Sequence, residues 1–79
     1  MIILNSVDFV LFWNDVVSNG NCVVLVESRR GYVTFDFVDG LWWCGKKRIG
    51  YITVMGIIAF AIEDECNIFI NGEDVLIKE

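Results

Sequence analysis

The first regular pattern along the chain is helical. Between Ser6 and Ser18, apolar side chains recur at spacings of three and four residues, which places them on one face of an α-helix. That face comprises Phe9, Val10, Trp13, Val16 and Val17. The opposite face comprises Asp8, Asp15 and Asn19, together with Phe12, whose ring either lies flat over a loop or belongs to a contact surface. Asn5 or Ser6 suits the N-cap and Asn19-Gly20 suits the C-terminal stop, so we expect a helix over residues 6–18.

After this helix the pattern changes to the alternation that is typical of β-strands. Cys22–Ser28 is mostly apolar, and residues 32–38 alternate apolar and polar side chains more clearly than any other segment. Arg29-Arg30-Gly31 reverses the chain between them, and Asp39-Gly40 is a type I′ hairpin signal before the returning strand Leu41–Cys44. We therefore expect a meander that continues through a turn at residues 45–48.

Residues 49–62 form the longest segment without a charged side chain, and we expect this segment to be the core, buried on both sides. Its β-branched residues favour a strand over a helix, because their χ1 angles are restricted in helices. Since a strand of fourteen residues is long, Gly56 is the expected position of a bulge or bend. The alternative is a strand that ends at Met55, followed by a short helix over residues 57–64.

The last pattern predicts a hairpin of two apolar strands, residues 66–70 and 75–78. A four-residue loop from Asn71 to Asp74 pairs apolar side chains with apolar side chains throughout the hairpin. A two-residue turn at Asn71-Gly72 would instead set Phe69 opposite Asp74. We therefore expect the four-residue loop.

These elements together predict an α+β fold of one domain over residues 1–79, in which the N-terminal helix packs on a curved antiparallel sheet. The sheet is expected to be a meander of about five or six strands, curved enough to approach a barrel. Of the 79 residues 56% are hydrophobic, and a chain of this size buries a smaller fraction of its surface than a larger one. Apolar surface should therefore remain exposed, and we expect the free sheet face or an edge strand to form a homodimer.

Charge is distributed unevenly along the chain. Residues 1–62 contain five basic and five acidic side chains, whereas residues 63–79 contain six acidic ones against Lys78, so the whole net charge of −5 arises in the last seventeen residues. An uneven charge distribution of this kind creates an electric field that steers encounters with an oppositely charged partner. In an up-and-down meander the turns at Arg29-Arg30 and at residues 46–48 would lie at the same end of the sheet.

Several kinds of chemistry find no support in the sequence. There is no histidine, no phosphate-binding glycine loop and no acidic calcium loop, so we expect no enzyme, no cofactor and no metal site. Cys22, Cys44 and Cys66 each lie in an apolar pattern and are expected to be reduced, buried thiols of a cytoplasmic protein. No apolar segment is long enough to span a membrane, and the N-terminus lacks the features of a signal peptide.

The remaining class is a protein that acts by binding another protein, as an inhibitor, immunity factor or adaptor of the kind that viruses and mobile elements encode. Its acidic side chains would imitate phosphates in the basic groove of a nucleic-acid-handling protein. These candidates are Glu63, Asp64, Glu65, Glu73 and Asp74. A second set of candidate contact residues is basic or aromatic, and it comprises Arg29, Arg30, Lys46, Lys47, Arg48, Phe12 and Trp42.

The alternative function is nucleic-acid binding through the basic turns, with tryptophan and tyrosine rings as a stacking platform. A pI near 4.4 opposes it, since phosphate binding depends on contacts from Lys and Arg. Trp42 and Trp43 also point to opposite faces of their strand, so only one can belong to a platform, and we expect the other to pack on the helix.

Overall fold

A seven-stranded mixed sheet organises the chain, and two helices pack beside it. The computed structural model describes all 79 residues. The elements are β1 (Ile2–Leu4), α1 (Ser6–Ser18), β2 (Cys22–Ser28), β3 (Gly31–Val38), β4 (Leu41–Cys44), β5 (Lys47–Ile49), α2 (Tyr51–Glu63), β6 (Asn67–Ile70) and β7 (Glu73–Ile77). Their order in the sheet is β1-β7-β6-β2-β3-β4-β5. The sheet is open, with β1 and β5 as its edge strands.

The topology combines the predicted meander with two long crossovers. Strands β2 to β5 form the meander, the β6–β7 hairpin pairs with the other side of β2, and β1 joins β7 in parallel. As a result β1 runs in the same direction as β2, and β5 in the same direction as β6. Strands of the same direction need a connection of a dozen or more residues, and here α1 and α2 supply the two connections.

Both helices pack on the same face of the sheet and form one core with it. The strands contribute the side chains that point to this face, which include Val24, Phe35, Trp42, Ile68 and Val75. Phe9 and Trp13 from α1, and Val54, Ile58 and Ala61 from α2, complete the buried set of 13 residues. No element of the chain covers the opposite face of the sheet, which we call the outer face.

The predicted helix α1 is confirmed with its bounds, and it packs on the sheet as expected. The side chain of Asn5 caps it by accepting a hydrogen bond from the Asp8 amide at 2.7 Å. Its rotation differs from the prediction, since Val10 is 54% exposed, whereas Phe12 is half-buried against the core. Apolar residues occur on nearly every side of α1, so their spacing does not determine which side of the helix faces the core. In the structure the large aromatic rings pack against the core.

The prediction of a long strand over residues 49–62 is wrong. Strand β5 ends at Ile49, and the following segment is the helix α2, with Gly56 inside it rather than at a bulge. The alternative placed a helix in the second half but kept a strand as far as Met55, which the structure also contradicts. Helix propensities of β-branched and unbranched residues differ by only several tenths of a kcal/mol per residue, and this is too little to outweigh the crossover that β5 and β6 require.

The predicted four-residue loop in the last hairpin is also wrong. Asn71 and Gly72 form a two-residue turn with φ angles of 52° and 80°, nearly the geometry of the correctly predicted Asp39-Gly40 turn at 51° and 80°. Phe69 therefore pairs with Asp74. This pairing lies on the outer face and leaves the Asp74 carboxylate partly accessible to water. The pairing therefore costs less free energy than it would if the carboxylate were buried. The Asn71 side chain also accepts a hydrogen bond from the Val23 amide at 2.9 Å, which ties the turn to β2.

Strand β1 is absent from the prediction, and the sheet does not close into a barrel. The three residues Ile2–Leu4 are too few for a recognisable alternation, and they form a strand because β7 offers a free edge. The meander explains only part of the sheet, because β6, β7 and β1 extend it on the far side of β2.

The end of α2 contains a strained residue that offers a stability test. Glu65 has a φ of 56°, and the amides of Glu65 and Cys66 bond back to the carbonyls of Ile62 and Ala61. This is the left-handed helix stop that glycine usually occupies. We expect Glu65→Gly to raise the free energy of unfolding by about 0.5–1 kcal/mol, since relief of the backbone strain exceeds the added entropy of the unfolded chain.

Urea unfolding of purified Glu65→Gly measures this change. Glu63→Gly is the matched control, because it removes an equal charge two residues earlier, within the last turn of α2. That control should lower the free energy of unfolding by about 1 kcal/mol, the usual cost of glycine inside a helix. If both variants were destabilised equally, the left-handed stop at Glu65 would be wrong.

Candidate functional site

The outer face of the sheet carries a group of apolar side chains on the side away from the helices. Because side chains alternate along each strand, the register places a fixed set of residues on this face. Its apolar members are Ile3, Val23, Leu25, Val38, Leu41, Trp43, Phe69 and Leu76. Ile3, Val23 and Leu76 are between 43% and 61% exposed, although such side chains are commonly buried.

The register also shows that these apolar side chains are neighbours. Ile3 pairs with Leu76 across β1 and β7, and Leu25 pairs with Phe69 across β2 and β6. Trp43 lies two strands away from β2, with Asp36 of β3 between it and Val23. Directly paired residues lie about 4.5–5.5 Å apart at their Cβ atoms. Between β6 and β7 the direct partner of Phe69 is Asp74, and Leu76 is its diagonal neighbour at about 7–8 Å, a distance that an aromatic side chain can span. The apolar group therefore runs from β1 to β2 through this diagonal contact.

The charged side chains on the outer face are mainly acidic. Glu27, Asp36 and Asp74 point to this side, and Arg48 on the edge strand β5 is the basic residue that accompanies them. Asp36 and Asp74 are half-buried among apolar neighbours. Any molecule that covered the face would remove water from these carboxylates, which would then need a cation or a hydrogen-bond donor in exchange.

A cleft of about 830 Å³ lies at one end of the molecule, between the β2–β3 turn and the C-terminal end of α2. Arg29 and Arg30 line it together with Asp64 and Glu65, and the sequence had assigned these two pairs to separate sites. Its other lining residues are Glu27, Ser28, Phe60, Cys66 and Asn67. The carboxylates and the negative end of the α2 dipole oppose phosphate binding in this cleft.

The structure divides the five acidic candidates into two groups. Glu63 ends α2 and Asp64 and Glu65 follow it, whereas Glu73 and Asp74 follow the turn at the other end of β6. The length of β6 separates the groups. No single surface therefore presents all five carboxylates as a phosphate-like array.

The basic candidates are also spread out. The turns at Arg29-Arg30 and at Lys46 lie at the same end of the sheet, but β4 ends level with Phe35, four residues short of Gly31. The two basic turns are therefore offset by about 13 Å along the strand direction, the length of four strand residues. In β5 the side chain of Lys47 lies on the helix-covered face and that of Arg48 on the outer face.

The aromatic candidates contribute more to the core than to the surface. Trp42 is 4% exposed, and its ring stacks on that of Trp13 at 5.6 Å with an angle of 5° between the planes. This confirms that one of the two adjacent tryptophans packs on the helix. Trp43 remains half-buried on the outer face, and the candidate contact residues drawn from the sequence included Trp42 in its place.

Sequence reasoning missed the members of the outer face that matter most, namely Leu25, Trp43 and Phe69. A signal was present, because each is an apolar strand residue, and the residues directly before and after it, which point to the opposite face, are also apolar. A strand that is apolar on both sides is usually covered on both sides. In this chain only one of the two sides is covered.

The three cysteines are free thiols. Burial raises the pKa of the Cys22 thiol above its usual value, and the nearby carboxylate of Asp36 adds to the rise. Cys44 and Cys66 are half-buried, and no three Cys, Asp or Glu side chains gather in a way that could hold a metal ion. Neither helix has the length and apolar character that crossing a membrane requires.

The candidate site is therefore the outer face, which combines eight apolar side chains with three carboxylates. Comparisons of this chain with protein-family models, with curated proteins and with solved structures found no match.

Proposed function

We propose that this chain is a protein-interaction module that binds another protein through the outer face of its sheet. The observation that supports this proposal is the continuous apolar group around Leu25 and Phe69, which no element of the chain covers. Contiguous exposed apolar surface is typical of binding sites, and aromatic side chains near the centre of an interface supply much of the binding energy. Phe69 and Trp43 are the aromatic anchors.

The charges of the outer face specify the chemistry of the partner. The outer face carries three carboxylates and one guanidinium. It therefore favours a partner whose binding surface is an apolar patch bordered by Lys or Arg side chains. A second copy of this chain would bring like charges together if it docked face to face, so we assign the outer face to a different protein. Binding that blocks or bridges this partner needs no catalytic group, and the role we propose is a cytoplasmic inhibitor or adaptor.

Nucleic-acid binding is the other function that the sequence suggested. Acidic side chains line the same cleft as Arg29 and Arg30, and the ring of Trp42 is buried, so no specific observation favours nucleic-acid binding.

The test compares tagged wild-type protein with the double variant Leu25→Thr/Phe69→Thr as baits in an extract of the source cell. Threonine keeps a high strand propensity and removes the apolar centre of the outer face. A basic protein that the wild type retains should be absent from the double variant. With that protein purified, calorimetric titration should show at least about tenfold weaker binding by the variant, which corresponds to about 1.4 kcal/mol.

The matched control is Val10→Thr, which makes a similar change at an exposed position of α1 and should bind like the wild type. Far-UV circular dichroism verifies that all variants are folded. Asp36→Asn and Asp74→Asn should weaken binding and reduce its dependence on salt. Equal affinity of the wild type and the double variant for the purified partner would exclude the outer face as its binding site.

A further inference from the structure

The helix α2 exposes an apolar side that nothing in the chain covers. Its buried side consists of Val54, Ile58 and Ala61. The opposite side, which we call the α2 ridge, consists of Ile52, Gly56, Ala59 and Phe60, and all four residues are exposed. Ile52 is 87% exposed and Phe60 is 61% exposed. A helix that is apolar all round is normally covered all round, so the α2 ridge is expected to be covered as well.

The segments on either side of α2 carry opposite charges. Lys46, Lys47 and Arg48 precede the helix, Glu63, Asp64 and Glu65 end and follow it, and no charged side chain lies between Arg48 and Glu63. The positive end of the helix dipole also lacks a side-chain cap, because Gly50 is the N-cap. One end of the ridge is therefore basic and the other acidic, over a helix about 20 Å long.

We propose that two copies of this chain form a twofold dimer in which the α2 ridges pack in antiparallel orientation. Such a pairing is self-complementary, because it sets the acidic end of each helix beside the basic end of the other. A parallel pairing would bring like charges together at both ends. A twofold interface uses the same patch on both copies, and a neutral patch with opposite charges at its ends meets this requirement.

The ridge has a shape that suits close packing. With the twofold axis at Gly56, Ile52 of one copy lies beside Phe60 of the other, and the backbones approach each other where no side chain intervenes. A Cβ atom placed on Gly56 meets nothing within 4 Å in the single chain, so the chain itself does not account for a glycine here. Glycine inside a helix costs about 1 kcal/mol relative to alanine, and closer approach to a second helix compensates for that cost.

Lys47 is well placed for the end contacts. It pairs with Cys44 and so points to the face of the sheet that carries the helices. In the antiparallel dimer its ammonium group approaches the carboxylates of Glu63 and Asp64 from the other copy.

The dimer goes beyond the function proposed above, because it uses the helical side of the molecule and leaves both outer faces free. Two outer faces on one particle would bind a partner with two copies of the target surface more tightly than a single chain does. Failure of the dimer leaves the single outer face as a binding site. Failure of the outer face leaves the dimer intact.

Sedimentation equilibrium from micromolar to millimolar concentration tests the dimer. The wild type is expected to show a monomer–dimer equilibrium, and Ile52→Lys and Phe60→Lys should each raise the dimer dissociation constant by at least about tenfold. Both positions are exposed in the single chain, so these variants should remain folded. Val10→Lys adds the same charge on α1 and is the matched control. Leu25→Thr/Phe69→Thr should also dimerise like the wild type.

A charge exchange tests the antiparallel orientation. Lys46→Glu/Lys47→Glu and Glu63→Lys/Asp64→Lys should each weaken the dimer, and the combination of all four substitutions should restore the affinity toward that of the wild type. A wild type that stays monomeric at every concentration overturns the proposal. A dimer dissociation constant that is unchanged in the ridge variants also overturns it, and so does a combined variant that recovers no affinity.

Discussion

Trp13→Ala should leave most of the protein unfolded at room temperature. Trp13 is 2% exposed, its ring stacks on Trp42, and its indole nitrogen donates a hydrogen bond to the Tyr51 hydroxyl at 3.2 Å. It therefore joins α1, β4 and the start of α2 in one contact. Truncation of a buried tryptophan costs about 3–5 kcal/mol. A core of this size rarely supplies more than about 3–5 kcal/mol in total, so the loss removes nearly all the stability.

Two milder variants separate the contributions of Trp13. Trp13→Phe keeps an aromatic ring in the core, and Tyr51→Phe removes only the hydrogen-bond acceptor, which should cost about 1 kcal/mol. Far-UV circular dichroism and urea unfolding measure all three. The expected order of destabilisation is Trp13→Ala first, then Trp13→Phe, then Tyr51→Phe. A folded Trp13→Ala with an unchanged urea midpoint would show that Trp13 is not central to the core.

The second large effect is expected at Ile58, and it tests which side of α2 is buried. Ile58 is 1% exposed and Ile52 is 87% exposed, although both are isoleucines in the same helix. Ile58→Ala should lower the free energy of unfolding by about 2–5 kcal/mol, because it leaves a cavity between α2 and the sheet. Ile52→Ala, at low protein concentration, should change it by at most about 0.5 kcal/mol, as surface substitutions usually do.

Urea unfolding at micromolar concentration gives both values and keeps self-association out of the comparison. In a strand over the same segment, positions 52 and 58 would point to the same face, because their separation is an even number of residues. Equal destabilisation by Ile52→Ala and Ile58→Ala would therefore favour the strand and contradict the helix.

The two proposed surfaces share one physical origin. The chain is rich in apolar residues but too short to enclose them, so the outer face of the sheet and the α2 ridge both remain uncovered. The outer face carries carboxylates among its apolar residues, which favours a basic partner. The ridge is neutral and has opposite charges at its ends, which favours a second copy. Charge, rather than apolar area, distinguishes the occupants that we propose for the two surfaces.

Local features of the sequence were sufficient for several elements. Asn5 as N-cap, the spacing around Phe9 and Trp13, and the Asn19-Gly20 stop predicted α1 with its bounds. The Asp39-Gly40 turn and the alternation in β3 predicted the meander, and the apolar excess predicted exposed apolar surface. The cap, the turns and the alternation depend on residues close together in the chain, where backbone preferences and side-chain periodicity act without help from distant segments, and the apolar excess follows from composition alone.

Other features depended on contacts between distant segments. A uniformly apolar segment such as residues 49–62 has no period that distinguishes a strand from a helix. It became α2 because β5 and β6 run in the same direction and need a long crossover. The Asn71-Gly72 register depended on β2 and on water at the outer face, and β1 needed the free edge of β7. The outer face itself arises because both helices pack on one side of the sheet, an arrangement of whole elements that no short stretch of sequence encodes.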